Sequence, residues 1–200
     1  MSRSPLTAFT GERLPGLGHN QGPPLQPGHG FRVHAWKKAR AKLMPKLPLE
    51  VLKRRVARAQ ELGLAYPQYA SILLGSGRDV LAFLFTCEAV GLRLERASRI
   101  PDPVARRLAM LRSVRRLLMI PAEAGDPAVT PALIDQISLG PGPAAIPAEA
   151  RAVIQEILAP ERLPGDAVVL IGTQPVERGW AESARLAKFL PAETYFADRA

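Results

Sequence analysis

DAVVLIGT, the stretch from Asp166 to Thr173, is the part of the sequence that decides the fold. Its six central residues are apolar or glycine and rich in β-branched side chains, and Pro164 and Gly165 precede it. A short apolar run bounded by turn residues predicts a fully buried strand, here over residues 167–172. A second stretch, DVLAFLFT from Asp79 to Thr86, repeats the pattern after a glycine turn and favours a strand over residues 80–85.

The chain after Thr173 contains the next elements of a parallel sheet. Apolar residues at helical spacing predict a helix from about Glu177 to Leu190, and ETYFA, residues 193–197, is a candidate final strand. A strand, a helix and a strand in about thirty residues are typical of a parallel βαβ unit. We therefore predict an α/β domain over residues 64–200, with a small, mainly parallel sheet.

Three helices are predicted between the two apolar stretches. The first follows Asp102 and extends to about Met119, the second begins at Thr130, and the third begins at Pro147. The alternative fold is mostly α-helical, because residues 80–90 would also fit a buried helix capped by Asp79.

The N-terminal third of the chain has a different composition. Residues 1–30 predict a disordered tail, since GHNQGPPLQPGHG, residues 18–30, is rich in Gly and Pro and almost free of apolar side chains. Residues 31–63 predict a basic helical segment. Its second helix begins at Pro48, which suits a first helical turn, and Gly63 suits its end.

The net charge of +9 is unevenly distributed along the chain. Residues 31–60 hold ten Lys and Arg against Glu50, a net +9, whereas residues 121–200 hold eleven acids against six bases, a net −5. Clustered cations attract polyanions without a sequence motif, so we expect this segment to bind a polyanion, with nucleic acid as the expected ligand. The predicted polyanion-binding residues are Arg32, Trp36, Lys37, Lys38, Arg40, Lys42, Lys53, Arg54, Arg55 and Arg58.

Other uses of the basic segment remain open. Its cations would also fit an acidic protein partner, which would make the chain a protein–protein adaptor, or the chain's own acidic residues 121–200. Contact with an anionic membrane surface is a further alternative. A non-enzymatic binding protein is the main hypothesis.

Cys87 and Arg93 are the candidates for catalysis. Their Cys-x5-Arg spacing looks like the arrangement in which a thiolate and an arginine act together in cysteine phosphatases. The segment lacks the preceding histidine of that pattern, and Glu88 adds negative charge where an anion should lie. We therefore expect Cys87 to be a small buried thiol.

A small-ligand site is predicted from Thr86, Thr173 and Gln174. Thr86 and Thr173 would follow two parallel strands, and open α/β sheets bind ligands at that edge. Gln174 precedes a helix N-terminus, so a small anion or another polar molecule would fit there. The glycine turn before DVLAFLFT lacks the pattern of a phosphate loop, so we expect a plain turn.

Metal and cofactor sites are not expected from this sequence. The three histidines, His19, His29 and His34, are far apart and have no cysteine partner at ligand spacing. One cysteine excludes an internal disulfide and fits a reducing compartment. Without a long apolar run or an apolar N-terminal leader, we expect a cytoplasmic protein with no transmembrane helix.

Overall fold

The computed structural model describes residues 47–92, 99–121 and 132–197. The predicted tail, residues 1–30, lies outside these ranges, as do the first six of the ten predicted polyanion-binding residues and Arg93. The described residues belong to one compact unit that begins at Leu47.

A five-stranded, all-parallel sheet forms the centre of this unit, and its strand order is β3-β2-β1-β4-β5. The α/β class is therefore confirmed. The helical alternative for residues 80–90 is wrong, because β1 pairs with β2 on one edge and with β4 on the other. The strands are β1 Ala82–Thr86, β2 Arg115–Ile120, β3 Gln136–Leu139, β4 Val168–Gly172 and β5 Lys188–Pro191.

Helices cover both faces of the sheet. Side chains that alternate along β1 explain this arrangement: Phe83 and Phe85 enter one apolar cluster, and Ala82 and Leu84 enter the other. The first cluster includes residues of α1, α2, α3 and α6, and the second includes residues of α4 and α5. The helices are α1 Leu49–Glu61, α2 Tyr66–Ser76, α3 Asp102–Met110, α4 Pro147–Leu158, α5 Pro175–Ser183 and α6 Ala192–Phe196.

Two strands occupy positions where helices were predicted. The helix predicted to extend to Met119 ends at Met110, and residues 115–120 form β2. Ser113, with φ of 54°, has a left-handed backbone that cannot continue a helix. Leu117 to Ile120 are all buried, which suits a strand covered on both faces. The helix predicted from Thr130 is also wrong in its second half, where residues 136–139 form β3.

The C-terminal elements are displaced from their predicted positions. Helix α5 ends at Ser183, and the final strand is β5 rather than residues 193–197, which lie largely in α6. Arg185, with φ of 56°, turns the chain after α5. Pro191 ends β5 and directly precedes α6, so ETYFA starts as a helix.

Arg58 of α1 makes polar contacts with the residues that precede β1 and β2. Arg58, predicted to bind a polyanion, donates hydrogen bonds from its guanidinium to Asp79 Oδ2 at 2.8 Å and to Glu61 Oε2 at 2.8 Å. It also donates to the backbone carbonyls of Val80 at 2.9 Å and Ser113 at 3.0 Å. Its side chain is only 16% exposed. These bonds join α1 to the residues that precede β1 and β2, so α1 folds as part of the sheet domain.

Replacement of Arg58 by methionine should therefore destabilise the domain. We expect Arg58→Met to lower the free energy of unfolding by about 2 kcal/mol, because two carboxylates and two backbone carbonyls, some of them partly buried, lose a charged donor. Arg54→Met, on an exposed position of the same helix, should change it by less than about 0.5 kcal/mol. Urea denaturation of the full chain measures both, and equal effects would contradict this role of Arg58.

Candidate functional site

The strand order creates a crevice between β1 and β4. Strands β2 and β3 extend the sheet to one side of β1, and β4 and β5 extend it to the other. The connections that leave neighbouring strands at such a reversal diverge, and open α/β sheets bind ligands in the resulting crevice at the carboxyl ends of the strands. The carboxyl ends of β1 and β4 therefore form the candidate site.

The three residues predicted for a small-ligand site lie at this crevice. Thr86 ends β1, and Thr173 and Gln174 follow β4. Glu88 connects the two strand ends, because its Oε2 accepts hydrogen bonds from Thr173 Oγ1 and from Gln174 Nε2, both at 2.8 Å. Sequence reasoning treated Glu88 only as a charge unfavourable to catalysis and missed this role.

Glu177 is a second carboxylate at the crevice, and it is 4% exposed. Its Oε2 accepts hydrogen bonds from the backbone N–H groups of Thr173 at 2.6 Å and Gln174 at 2.8 Å, and it also bonds to the Thr86 hydroxyl. Burial raises the pKa of Glu177 above its ordinary value, and these hydrogen bonds oppose that shift. Gly172 leaves room for this carboxylate, since a Cβ at that position would overlap Glu177 Oε2.

This geometry disfavours the anion site that was predicted at the start of α5. The backbone N–H groups of Thr173 and Gln174 would have to bind such an anion, but they already hold Glu177. The helix supplies its own carboxylate in the place of an external anion. Those two N–H groups are therefore not free for a ligand in this arrangement.

A cavity of about 320 Å³ opens beside these residues. We call it the switch-point cavity. Its lining is mainly apolar and carries the Glu88 and Glu177 carboxylates, and the described residues that form it include no Lys, Arg or His. The lining residues are Thr86, Cys87, Glu88, Met119, Ile120, Pro121, Gly140, Pro141, Pro143, Gln174, Val176, Glu177 and Trp180.

Trp180 forms part of the cavity wall from α5. The side chain is 9% exposed, and its indole Nε1 is buried with no hydrogen-bond partner among the described residues. Buried N–H groups of folded proteins are nearly always paired. The indole N–H of Trp180 is therefore an exception among the buried side-chain donors of the described residues.

Cys87 lies in the cavity wall, but its environment disfavours nucleophilic chemistry. It is 3% exposed, and burial, together with the charge of Glu88, raises the pKa of the thiol to about 11. A catalytic cysteine needs the opposite shift. Arg93, the proposed partner, lies outside the described residues. The described part of the chain also holds no cluster of His, Cys, Asp and Glu that could bind a metal.

Alkylation of the single cysteine tests this environment. With the pKa moved from 9.0 to about 11, the thiolate fraction at pH 8 falls by about a hundredfold. We expect native protein to react with iodoacetamide at pH 8 at least about a hundredfold more slowly than the same chain unfolded in urea. Equal rates in the two states would restore Cys87 as a candidate nucleophile.

The predicted polyanion-binding residues of α1 differ in their availability. Lys53 and Arg54 are exposed, Arg55 is half-buried, and Arg58 is committed to the contacts described above. Among the described residues, Lys53 pairs with Glu50 alone, at 3.1 Å, and both side chains are mostly exposed. The four residues therefore offer two cations to a ligand in solvent.

Part of the basic charge outside α1 is neutralised within the domain. Arg116 pairs with Asp135 at 2.8 Å, Arg78 pairs with Asp166 at 2.9 Å, and Arg115 pairs with Glu161. Each acid belongs to the acidic stretch 121–200. Internal neutralisation by residues 121–200 was predicted as an alternative for the cations of the basic segment, and these three arginines lie outside that segment, so the alternative stays a prediction.

Comparisons of this chain with protein-family models, curated proteins and solved structures find no match. No helix in the described ranges is long and apolar enough to cross a membrane. What the chain binds must therefore be inferred from the geometry of its sites.

Proposed function

We propose that this chain is a binding protein that takes a small organic molecule into the switch-point cavity. The observation that carries the proposal is the coincidence of the cavity with the carboxyl ends of β1 and β4, where this strand order reverses. The cavity volume of about 320 Å³ is at the lower end of the range for ligand pockets. Its mainly apolar wall with a few polar groups is also typical of such pockets.

The polar groups at the cavity are held in place before any ligand arrives. Thr173 and Gln174 fix one oxygen of Glu88, and the same two residues fix Glu177 through their backbone N–H groups. A ligand that meets preorganised groups loses less of its binding free energy to ordering them.

Cys87, as a free thiol, supports a reducing compartment, and we propose a cytoplasmic location.

Ligand binding in the cavity has a direct spectroscopic test. The chain has two tryptophans, so a Trp36→Phe variant leaves the indole N–H of Trp180 as a single reporter in ¹H–¹⁵N spectra. We expect some members of a fragment panel, composed of neutral, cationic and anionic compounds, to shift this resonance. Val176→Phe places a larger side chain at the cavity wall and should weaken these fragments by about tenfold or more.

A matched control for the cavity variant lies on α2. Leu74 is 85% exposed and does not line the cavity, so Leu74→Phe should leave fragment binding unchanged. If no fragment shifts the Trp180 resonance, or if both phenylalanine variants weaken binding equally, the proposal fails.

Polyanion binding by the basic segment is the second candidate function. The specific observation in its favour is that Lys53 and Arg54 remain exposed on α1, within the segment whose net charge is +9. The Lys53–Glu50 pair is too exposed to compete strongly with a phosphate backbone. We therefore keep nucleic acid as the expected polyanion.

The salt dependence of nucleic-acid binding tests this second function. Removal of residues 1–60 would take away most of α1, so the test uses the full chain. For a short labelled duplex we expect a steep log–log slope of affinity against salt, and the pair Lys53→Gln and Arg54→Gln should reduce it by about two units. The pair Arg151→Gln and Arg185→Gln removes the same charge from other exposed positions and should leave the slope unchanged. No binding at low salt would point instead to an acidic protein partner.

A further inference from the structure

The charge of the switch-point cavity restricts the molecules that can enter it. Two carboxylates, Glu88 and Glu177, lie in its wall, and none of the described lining residues carries a positive charge. The indole N–H of Trp180, also a lining residue, is buried and has no partner among the described residues. We propose that the cavity binds a small organic cation, namely an amine carried on an apolar body. This proposal rests on the proposed binding function and specifies its ligand.

Glu88 is the carboxylate that would receive the amine. Its Oε2 is used by Thr173 and Gln174, and Oε1 has no hydrogen-bond partner among the described residues. An ammonium group donates up to three hydrogen bonds and accepts none, which matches an open carboxylate oxygen. Hydrogen bonds between charged groups are also stronger than neutral ones.

Glu177 serves as a second negative charge and not as a direct contact. Its Oε2 is occupied by two backbone N–H groups, and the side chain is almost fully buried. A cation at Glu88 would be attracted by Glu177 without touching it. Burial of a carboxylate with no cation beside it is unfavourable, so a bound cation would also relieve that penalty.

The rest of the wall suits the apolar body of such a ligand. Met119 and Val176 present aliphatic surface, Pro141 and Pro143 present ring surface, and Trp180 presents an indole. Burial of apolar surface provides most of the affinity for a small ligand, and a cation near an indole ring gains further attraction.

The cavity is unfavourable for anionic ligands. A phosphate or carboxylate at this edge would need free backbone N–H groups at the start of α5, but Glu177 already holds those of Thr173 and Gln174. It would also lie close to two carboxylates of like charge. These conditions disfavour mononucleotides and sugar phosphates as ligands of this cavity.

Three probes of similar size and different charge test the inference. Phenethylamine, 2-phenylethanol and 3-phenylpropionate are titrated into the full chain carrying Trp36→Phe, with the Trp180 indole resonance as the readout. We expect the amine to bind about tenfold more tightly than the alcohol, and the acid to bind more weakly than either. Glu88→Gln should reduce the affinity for the amine to that for the alcohol, whose own affinity should not change.

Glu182→Gln is the matched control for the Glu88 variant. It removes an exposed carboxylate from α5, outside the cavity wall. It should leave all three affinities unchanged. Thermal unfolding of both variants shows whether a change in binding follows from a change in stability.

The outcomes separate this inference from the proposed function. If the alcohol or the acid binds at least as tightly as the amine, the cavity binds ligands but the preference for a cation is wrong. If Glu88→Gln weakens all three probes equally, Glu88 only shapes the cavity, and its contact with the amine is wrong. If neither these probes nor the fragment panel shift the Trp180 resonance, the proposed function fails, and the inference fails with it.

Discussion

The pairing of β1 with two parallel neighbours is the constraint on which the rest of the structure depends. Phe83 and Phe85 on one face and Ala82 and Leu84 on the other require helices on both sides of this strand. The sheet then extends from β1 in both directions, which places the reversal of strand order between β1 and β4. The residues after β1 and β4 border the crevice produced by that reversal, so a core requirement also locates the candidate site.

Glu177 determines the chemistry of that crevice. Its carboxylate satisfies two N–H groups at the start of α5 that would otherwise face solvent or a ligand. The same contact removes the feature that most often attracts phosphate to this edge of an α/β sheet. Gly172 makes the contact sterically possible, so the end of β4 and the start of α5 form one local structure. The contact that caps α5 therefore also underlies the proposed preference of the cavity for a cation.

The sequence predicts the strands at the centre of the sheet better than those towards its edges. β1 and β4 are buried on both faces and appear as continuous apolar runs. β2 begins with Arg115 and Arg116, which are paired with acids distant in sequence, and these arginines resemble the polar face of a helix. β3 and β5 are four-residue edge strands with partly exposed side chains, so their apolar patterns are weak.

The candidate site, like the sheet, could be predicted from the sequence only in part. Thr86, Thr173 and Gln174 follow predicted strands, so their position at one edge could be predicted. Glu88 could not be, because its partners lie 85 and 86 residues away. Glu177 left a trace in the sequence, since a Pro at the first helical position with an acid two residues later is typical of a capped helix.

Charge separates the two proposed surfaces. The exposed cations of α1 belong to the helical layer that covers Phe83 and Phe85, whereas the acidic cavity lies beside α5, which covers the other face. A single ligand such as a nucleotide would have to satisfy both signs of charge, although no residue of α1 lines the cavity. The simpler arrangement assigns polyanions to α1 and an organic cation to the cavity. In that arrangement, we expect neutralising Lys53 and Arg54 to leave the affinity of the cavity for the amine unchanged, because both are exposed residues that do not line it.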